Sequence, residues 1–427
     1  MIQATVTALK LPDLRAKIVF TISMLLVFRV VAHIPMPGIN LEALRQQFEG
    51  NQLLGFMNLM SGGALENFSI VALGIYPYIT ASIIMNILQP MIPPLRDMAR
   101  NGGEAGRQRI AQYTRMAAVP LAMLQGVGQI TILRQASPSP IDPNMSPLSV
   151  LSMLVVLAGG TMFLLWLGER ITERGIGNGI SIIILGGIIA GAPQALGQSL
   201  FGGDSLTGLA IFAGIGLLMV AAIVFIQEGQ RRIPVQYAKR VRGNRLYGGQ
   251  STHIPMKINS AGMIPLIFAF SVMLLPGTIA SYLQTSEIGW LSSISGTMAN
   301  WFSPANFIYW MFTFLLVIAF TYFYTIVVFN QQNLPETLQK NGGFIPGIRP
   351  GRPTASYLGR ILNRLTLAGG VFLATIAIMP FFVGAFTGVT TVALSSTGLL
   401  IVVGVVLDTM KQLESQLMMR DYESFLK

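Results

Sequence analysis

Ten long apolar stretches divide this chain into eleven polar segments, and nearly all of its positive charge falls in every second segment. Those six segments carry Lys10, Arg15 and Lys17; Arg96, Arg100, Arg107, Arg109 and Arg115; Arg170 and Arg174; Arg231, Arg232, Lys239, Arg240, Arg242, Arg245 and Lys257; Lys340, Arg349, Arg352, Arg360 and Arg364; and Lys411, Arg420 and Lys427. They account for 25 of the 28 Lys and Arg residues. The other three are Arg29, inside the first stretch, and Arg45 and Arg134, on the opposite side. Short loops rich in Lys and Arg stay in the cytoplasm, so the alternation predicts a polytopic membrane protein with both termini cytoplasmic.

The stretches cover residues 17–34, 70–88, 116–133, 148–167, 176–196, 206–227, 258–281, 306–329, 365–382 and 389–407. Each is long enough for a hydrocarbon core about 30 Å thick, at about 1.5 Å per helical residue. They must be helical, because lipid satisfies no exposed backbone groups. The predicted fold class is therefore an all-α polytopic membrane protein. Five stretches lie on each side of the loop at 201–205. An odd number per half starts the second half on the side opposite the first, so if the halves are structural repeats they are inverted. This divides the chain into an N-terminal half, 1–200, a hinge at 201–205, a C-terminal half, 206–410, and a tail, 411–427.

Charged residues make up only 11% of the chain, against about 25% in soluble domains. The net charge of +11 lies in short loops, where lipid headgroups and acidic partners come before nucleic acid. There is no cysteine, which excludes disulfides and thiolate metal sites. The two histidines, His33 and His253, stand apart from any acidic cluster. No stretch has a central Asp or Glu, as a proton-coupled transporter usually needs. The glycine-rich Gly175-Ile176-Gly177-Asn178-Gly179 lacks the Lys-Ser/Thr ending of a phosphate loop. No metal, cofactor or catalytic group is expected. A secondary transporter, the rival reading, should show a midplane solute site; a membrane-embedded enzyme should show a catalytic pair.

Arg29 is the exception within a stretch. A guanidinium at mid-depth costs about 2.5–3.5 kcal/mol on insertion scales. Pairing with backbone carbonyls or with a partner subunit is expected of it. The outer segment 38–69 is too polar and glycine-rich to span, and the residues alone leave a re-entrant segment and a surface loop equally open. The inner loops 228–257 and 330–364 are long and basic. In the first, Ile233, Val235 and Tyr237 alternate with other residues as in a strand, and 247–253 is placed to return as its hairpin partner.

Several stretches together resemble the SecY family of channel subunits from the bacterial Sec translocase. They are Ile34-Pro35-Met36-Pro37-Gly38-Ile39, Met60-Ser61-Gly62-Gly63-Ala64-Leu65, Ala72-Leu73-Gly74-Ile75-Tyr76-Pro77-Tyr78-Ile79-Thr80-Ala81-Ser82 and the run from Trp166 to Ser181. Gln250 to Asn259 and Gly347-Ile348-Arg349-Pro350-Gly351 complete the set, which extends in order along the chain. The resemblance implies a non-enzymatic, protein-conducting pore between two inverted halves of five helices, in the bacterial plasma membrane. It implies a pore ring of Ile75, Ile79, Ile180, Ile184, Ile267 and Ile401. A stiff β-branched side chain without hydrogen-bonding groups suits a gasket around a passing chain. A re-entrant plug helix at 57–68 would include Asn58, Met60, Ser61, Gly62, Gly63, Ala64, Leu65 and Phe68. Thr80, Asn86 and Asn259 would lie near a lateral gate, although related sequences often have Gln in place of Asn86. Arg231, Arg232, Lys239, Arg240, Arg349 and Arg352 would bind a motor or a ribosome. The implied partners are SecE, SecG, the SecA ATPase, the ribosome, the unfolded precursor polypeptide and membrane lipids.

Overall fold

The computed structural model describes residues 11–50, 58, 61–135, 138–142, 145–201, 206–237, 240–242, 245–247, 251–283, 289–303, 305–332, 334–387 and 390–425. Helices overlie every apolar stretch: α1 (Pro12–Ala32), α3 (Tyr76–Met91), α5 (Gly103–Gln135), α6 (Pro147–Arg174), α7 (Gly179–Phe201), α8 (Leu206–Glu228), α9 (Ile264–Leu283), α11 (Phe307–Gln332), α13 (Arg352–Thr387) and α14 (Thr390–Phe425). Between them lie the shorter helices α2 (Leu41–Gly50), α4 (Pro93–Asn101), α10 (Gly289–Trp301) and α12 (Leu334–Lys340). Among the described residues, four helical runs are long and apolar enough to cross a membrane: Gly103–Arg134, Pro147–Arg174, Phe307–Lys340 and Arg352–Val383. Gly179–Pro193, Ala213–Glu228 and Ile264–Met273 are shorter apolar helices.

Helix ends differ from the apolar boundaries for local reasons. The second stretch is helical only from Tyr76, because Gly74 takes a φ of 58° and Pro77 suits the first helical turn. The seventh is helical only from Ile264, after a β-strand that ends at Lys257. Conversely, α5, α13 and α14 run well past their apolar windows into charged sequence, where backbone hydrogen bonding continues. In α6, Pro147 occupies the first turn and Ser146 Oγ accepts from Ser149 N at 3.3 Å. Of the hinge at 201–205, only Phe201 is among the described residues.

The helices before residue 201 meet those after residue 206 along two seams. Helices α3 and α5 pack on α9, and α7 packs on α14. Within the first set, α5 packs on α3 and on α6; within the second, α13 packs on α11 and on α14. Glycine permits the closest approach of α6 and α7, since a Cβ on Gly179 would collide with the carbonyl oxygen of Gly168. Small residues at a helix contact let the two backbones approach in this way.

The two basic loops fold as one unit. Strand β1 (Gln230–Tyr237) pairs antiparallel with β4 (Ser251–Lys257), placing Ile233 opposite Ile254. The returning strand therefore lies four residues later than 247–253. Tyr247 instead ends β3 (Arg245–Tyr247), which pairs with β2 (Arg240–Arg242) as a separate hairpin. From the second loop, β5 (Gly343–Phe344) adds to the other edge of β1. Beneath this sheet Ile233, Val235 and Met256 pack with Leu338, Ile345 and Leu358 in a small hydrophobic core. Lys411 Nζ and Glu228 Oε1, 2.8 Å apart, tie α14 to the residues that lead into β1.

Candidate functional site

The six isoleucines picked out by resemblance come together. Ile75 caps the N-terminus of α3, Ile79 lies on α3, Ile180 and Ile184 on α7, Ile267 on α9 and Ile401 on α14. Those four helices all take part in the two seams, where α5 is the fifth member. Ile75, Ile184, Ile267 and Ile401 are buried members of one hydrophobic cluster, and Ile79 and Ile180 pack partly buried against it. Ile401 is fully enclosed. The cluster presents neither charge nor hydrogen-bonding groups at these positions, so it can exclude water and ions but cannot chelate or catalyse.

Ala64 belongs to the same cluster, whereas Leu65 and Phe68 are buried in a second one beside Met36, Leu44 and Leu73. The described part of the 57–68 segment thus folds back into protein. Of the expected helix, Asn58 and Ser61 are helical, and the chain turns after Ser61. Gly62 and Gly63 have φ of 73° and 81°, and Phe68 has φ of 38°, so residues 62–68 form successive turns. Asn58 organises them: its carbonyl accepts from Gly63 N at 2.9 Å, and its Oδ1 accepts from Glu66 N at 3.0 Å. Ser61 Oγ accepts from Leu65 N at 3.1 Å. Met60 lies outside the described residues.

At the seam between α3 and α9, Thr80 is buried, and its Oγ1 donates to the Tyr76 carbonyl and accepts from Gln125 Nε2, both at 3.2 Å. Asn259 is buried just before α9 and donates to the Gly262 carbonyl at 3.0 Å, while its Oδ1 has no hydrogen-bond partner among the described residues. Asn86 sits half-buried on α3. One bond across this seam has no signal in the sequence: the Tyr76 hydroxyl donates to the backbone carbonyl of Ser271. Arg29 meets the expectation of a backbone partner, since its Nη1 donates to the Gly62 carbonyl at 2.7 Å.

On the basic side, Arg231 and Arg232 are exposed on β1, and Arg349 and Arg352 are exposed where the second loop turns into α13. The carbonyl of Arg349 accepts from Thr354 Oγ1 at 2.9 Å, which fixes the loop's exit. Gly347 and Gly351, with φ of 80° and 96°, supply the turns on either side. Arg240 lies on β2, and Lys239 is outside the described residues. The sheet joins the two basic loops, so Arg232 and Arg349 belong to one folded unit.

The SecY family model matches residues 69–410. A protein translocase subunit SecY from Streptomyces scabiei is 43% identical over 442 aligned positions, covering 100% of both chains. Among solved structures, a SecY channel described by the plug domain that stabilises its closed state and maintains a membrane seal is similar, with a TM-score of 0.62 at 17% identity over 94% of this chain and 92% of that one. Sec61 in the canine ribosome-channel complex from the endoplasmic reticulum is similar with a TM-score of 0.62 at 18% identity, over 94% of this chain and 92% of that one. Full-length identity at this level, on a fold shared with known channels, shows that the chain belongs to the SecY family of protein translocase subunits.

Proposed function

We propose that this chain is the pore subunit of a Sec translocon, conducting unfolded polypeptide across a membrane and releasing apolar segments sideways into lipid. The observation that carries this reading is the gathering of six isoleucines, from four of the seam helices, in and against one apolar cluster. An apolar constriction resists wetting and ion leakage while leaving a peptide chain nothing to bind. The chain is a channel and not an enzyme, so a partner must supply the driving energy.

All ten long helices span the membrane as two inverted halves, 1–200 and 206–410, joined at 201–205. The membrane is the bacterial plasma membrane, with both termini in the cytoplasm, a placement that the charge alternation supports. The isoleucines form the ring, the 57–68 segment closes its outer side, and the α3–α9 seam is the lateral gate. The buried Ala64, Leu65 and Phe68 support the plug assignment. The polar groups of Thr80, Asn86 and Asn259 ease entry of a signal sequence. SecE clamps the halves and SecG joins them. SecA or a ribosome docks on the exposed Arg231, Arg232, Arg349 and Arg352, because guanidinium pairs well with carboxylate and phosphate. The ribosome-bound relative supports the second of these partners.

The test is reconstitution of the chain with a SecE-like subunit and a SecA-like ATPase in vesicles. ATP-dependent movement of an unfolded precursor into the vesicle lumen is expected; no movement with all components inserted would refute the reading.

A further inference from the structure

Arg29 makes a contact that the channel reading does not use. It stands half-buried on α1, in a region of the chain otherwise made of apolar side chains, and its Nη1 donates to the carbonyl of Gly62 at 2.7 Å. Gly62 is the first turn residue of the folded-back segment. On its other side it abuts helix α7 backbone to backbone: a Cβ on Gly62 would come within 2.8 Å of Gly187 Cα and 3.0 Å of Phe28 Cζ. A Cβ on Gly187 would in turn collide with Gly62 Cα. The turn at 61–64 is therefore wedged between α1 and α7. One charge-assisted hydrogen bond holds it on the α1 side.

The downstream end of the segment is tethered differently. Met36 N donates to the Phe68 carbonyl at 3.0 Å, and Pro35 bridges to Ser69. Just before that tether Phe68 holds a φ of 38°, a left-handed conformation that a bulky residue adopts only under constraint. The segment is thus fixed at its exit, strained at Phe68 and caught at Gly62. Breaking the catch lets the strained turn relax, while the tether keeps the segment attached.

We infer that Arg29 is a positioning residue: a cationic catch on α1 that holds the 61–68 turn in the closed position through the Gly62 carbonyl. Loss of the hydrogen bond between the guanidinium and that carbonyl frees the turn. A backbone acceptor suits this role, since no side chain at Gly62 is available and none would fit against α7. The inference rests on the plug reading, and it adds what holds the plug.

The chain has no cysteine, so a single Ala64→Cys reports on the turn. Ala64 is fully buried, and its labelling by a membrane-impermeant maleimide requires the turn to move out. The assay uses the full chain reconstituted with its partner subunits and reads labelling rate and resting ion conductance together. Arg29→Met in the Ala64→Cys background should raise both by about tenfold, the scale of one lost hydrogen bond to a charged group. Arg29→Lys, which keeps a cationic donor, should stay within about twofold of the parent. If Arg29→Met does not accumulate, Arg29→Gln, with a neutral donor, should give a smaller rise of about threefold. An inserted, assembled Arg29→Met or Arg29→Gln channel with unchanged labelling and conductance overturns the catch. Deletion of residues 61–67 separates the two readings. A conductance rise on deletion without one in Arg29→Met leaves the plug and removes the catch; no rise on deletion removes the plug itself.

Discussion

Removing one hydroxyl at the α3–α9 seam should open it measurably. Tyr76→Phe deletes the donor to the Ser271 carbonyl, while the ring volume is kept and no cavity forms. Thr80 Oγ1 bonds the Tyr76 backbone, so its link to Gln125 survives the change. The Ser271 carbonyl sits inside α9 and keeps its own helical partner, so no buried acceptor is orphaned. The loss is then that of one interhelical hydrogen bond in a membrane, about 0.6 kcal/mol on average and about 1.7 at most. At about 1.4 kcal/mol per tenfold, the open-seam population rises about three- to twentyfold. Spin labels on cysteines at Ile84 of α3 and Ile279 of α9, both exposed and away from the seam bond, read that population as a longer-distance peak. Ser271→Ala serves as the control, since the acceptor is backbone, and it should leave the distribution unchanged. An unaltered distribution in Tyr76→Phe, or an equal shift in Ser271→Ala, would refute the reasoning.

Three further outcomes are expected. Replacing Ile79 and Ile180 together with Gly should raise ion conductance in planar bilayers, because two β-branched walls leave the cluster; unchanged conductance would count against the seal. Gly179→Ala forces a methyl group into the Gly168 carbonyl and should cost about 1–3 kcal/mol as an overpacked helix contact, read as a lower unfolding midpoint in detergent. Arg349→Glu reverses an exposed charge on the joined basic loops and should slow ATP-driven translocation on the order of tenfold while insertion stays normal.

The positions of the helices are legible in the sequence because apolar length and loop charge are local quantities. Their exact ends are not. The apolar window of α5 begins at Met116, yet the helix starts at Gly103, since charged residues continue a helix as readily as apolar ones. The start of α3 at Tyr76 depends on a glycine at positive φ, which composition does not reveal. The alternation of Ile233 and Val235 gave a strand, but its two partners come from 14 or more residues away in the chain and, through Phe344, from the other loop. Pairing at that separation leaves no periodic trace. The ring isoleucines could be chosen only by resemblance, because an isoleucine in a span looks the same whether it faces lipid, a neighbour or a pore. Arg29 was visible as an anomaly, and the physics of a cation at membrane depth named two kinds of partner, a backbone carbonyl or a partner subunit, without naming Gly62.

The central claim is that a polypeptide in transit passes through the isoleucine cluster between the two seams. Photo-crosslinking of a stalled precursor tests it most directly, with probes placed one at a time at Ile79, Ile180, Ile267 and Ile401, and at Leu217 and Phe225 on the exposed face of α8. Adducts from the four cluster positions and none from Leu217 or Phe225 are predicted. Adducts from the α8 face with none from the cluster would contradict it.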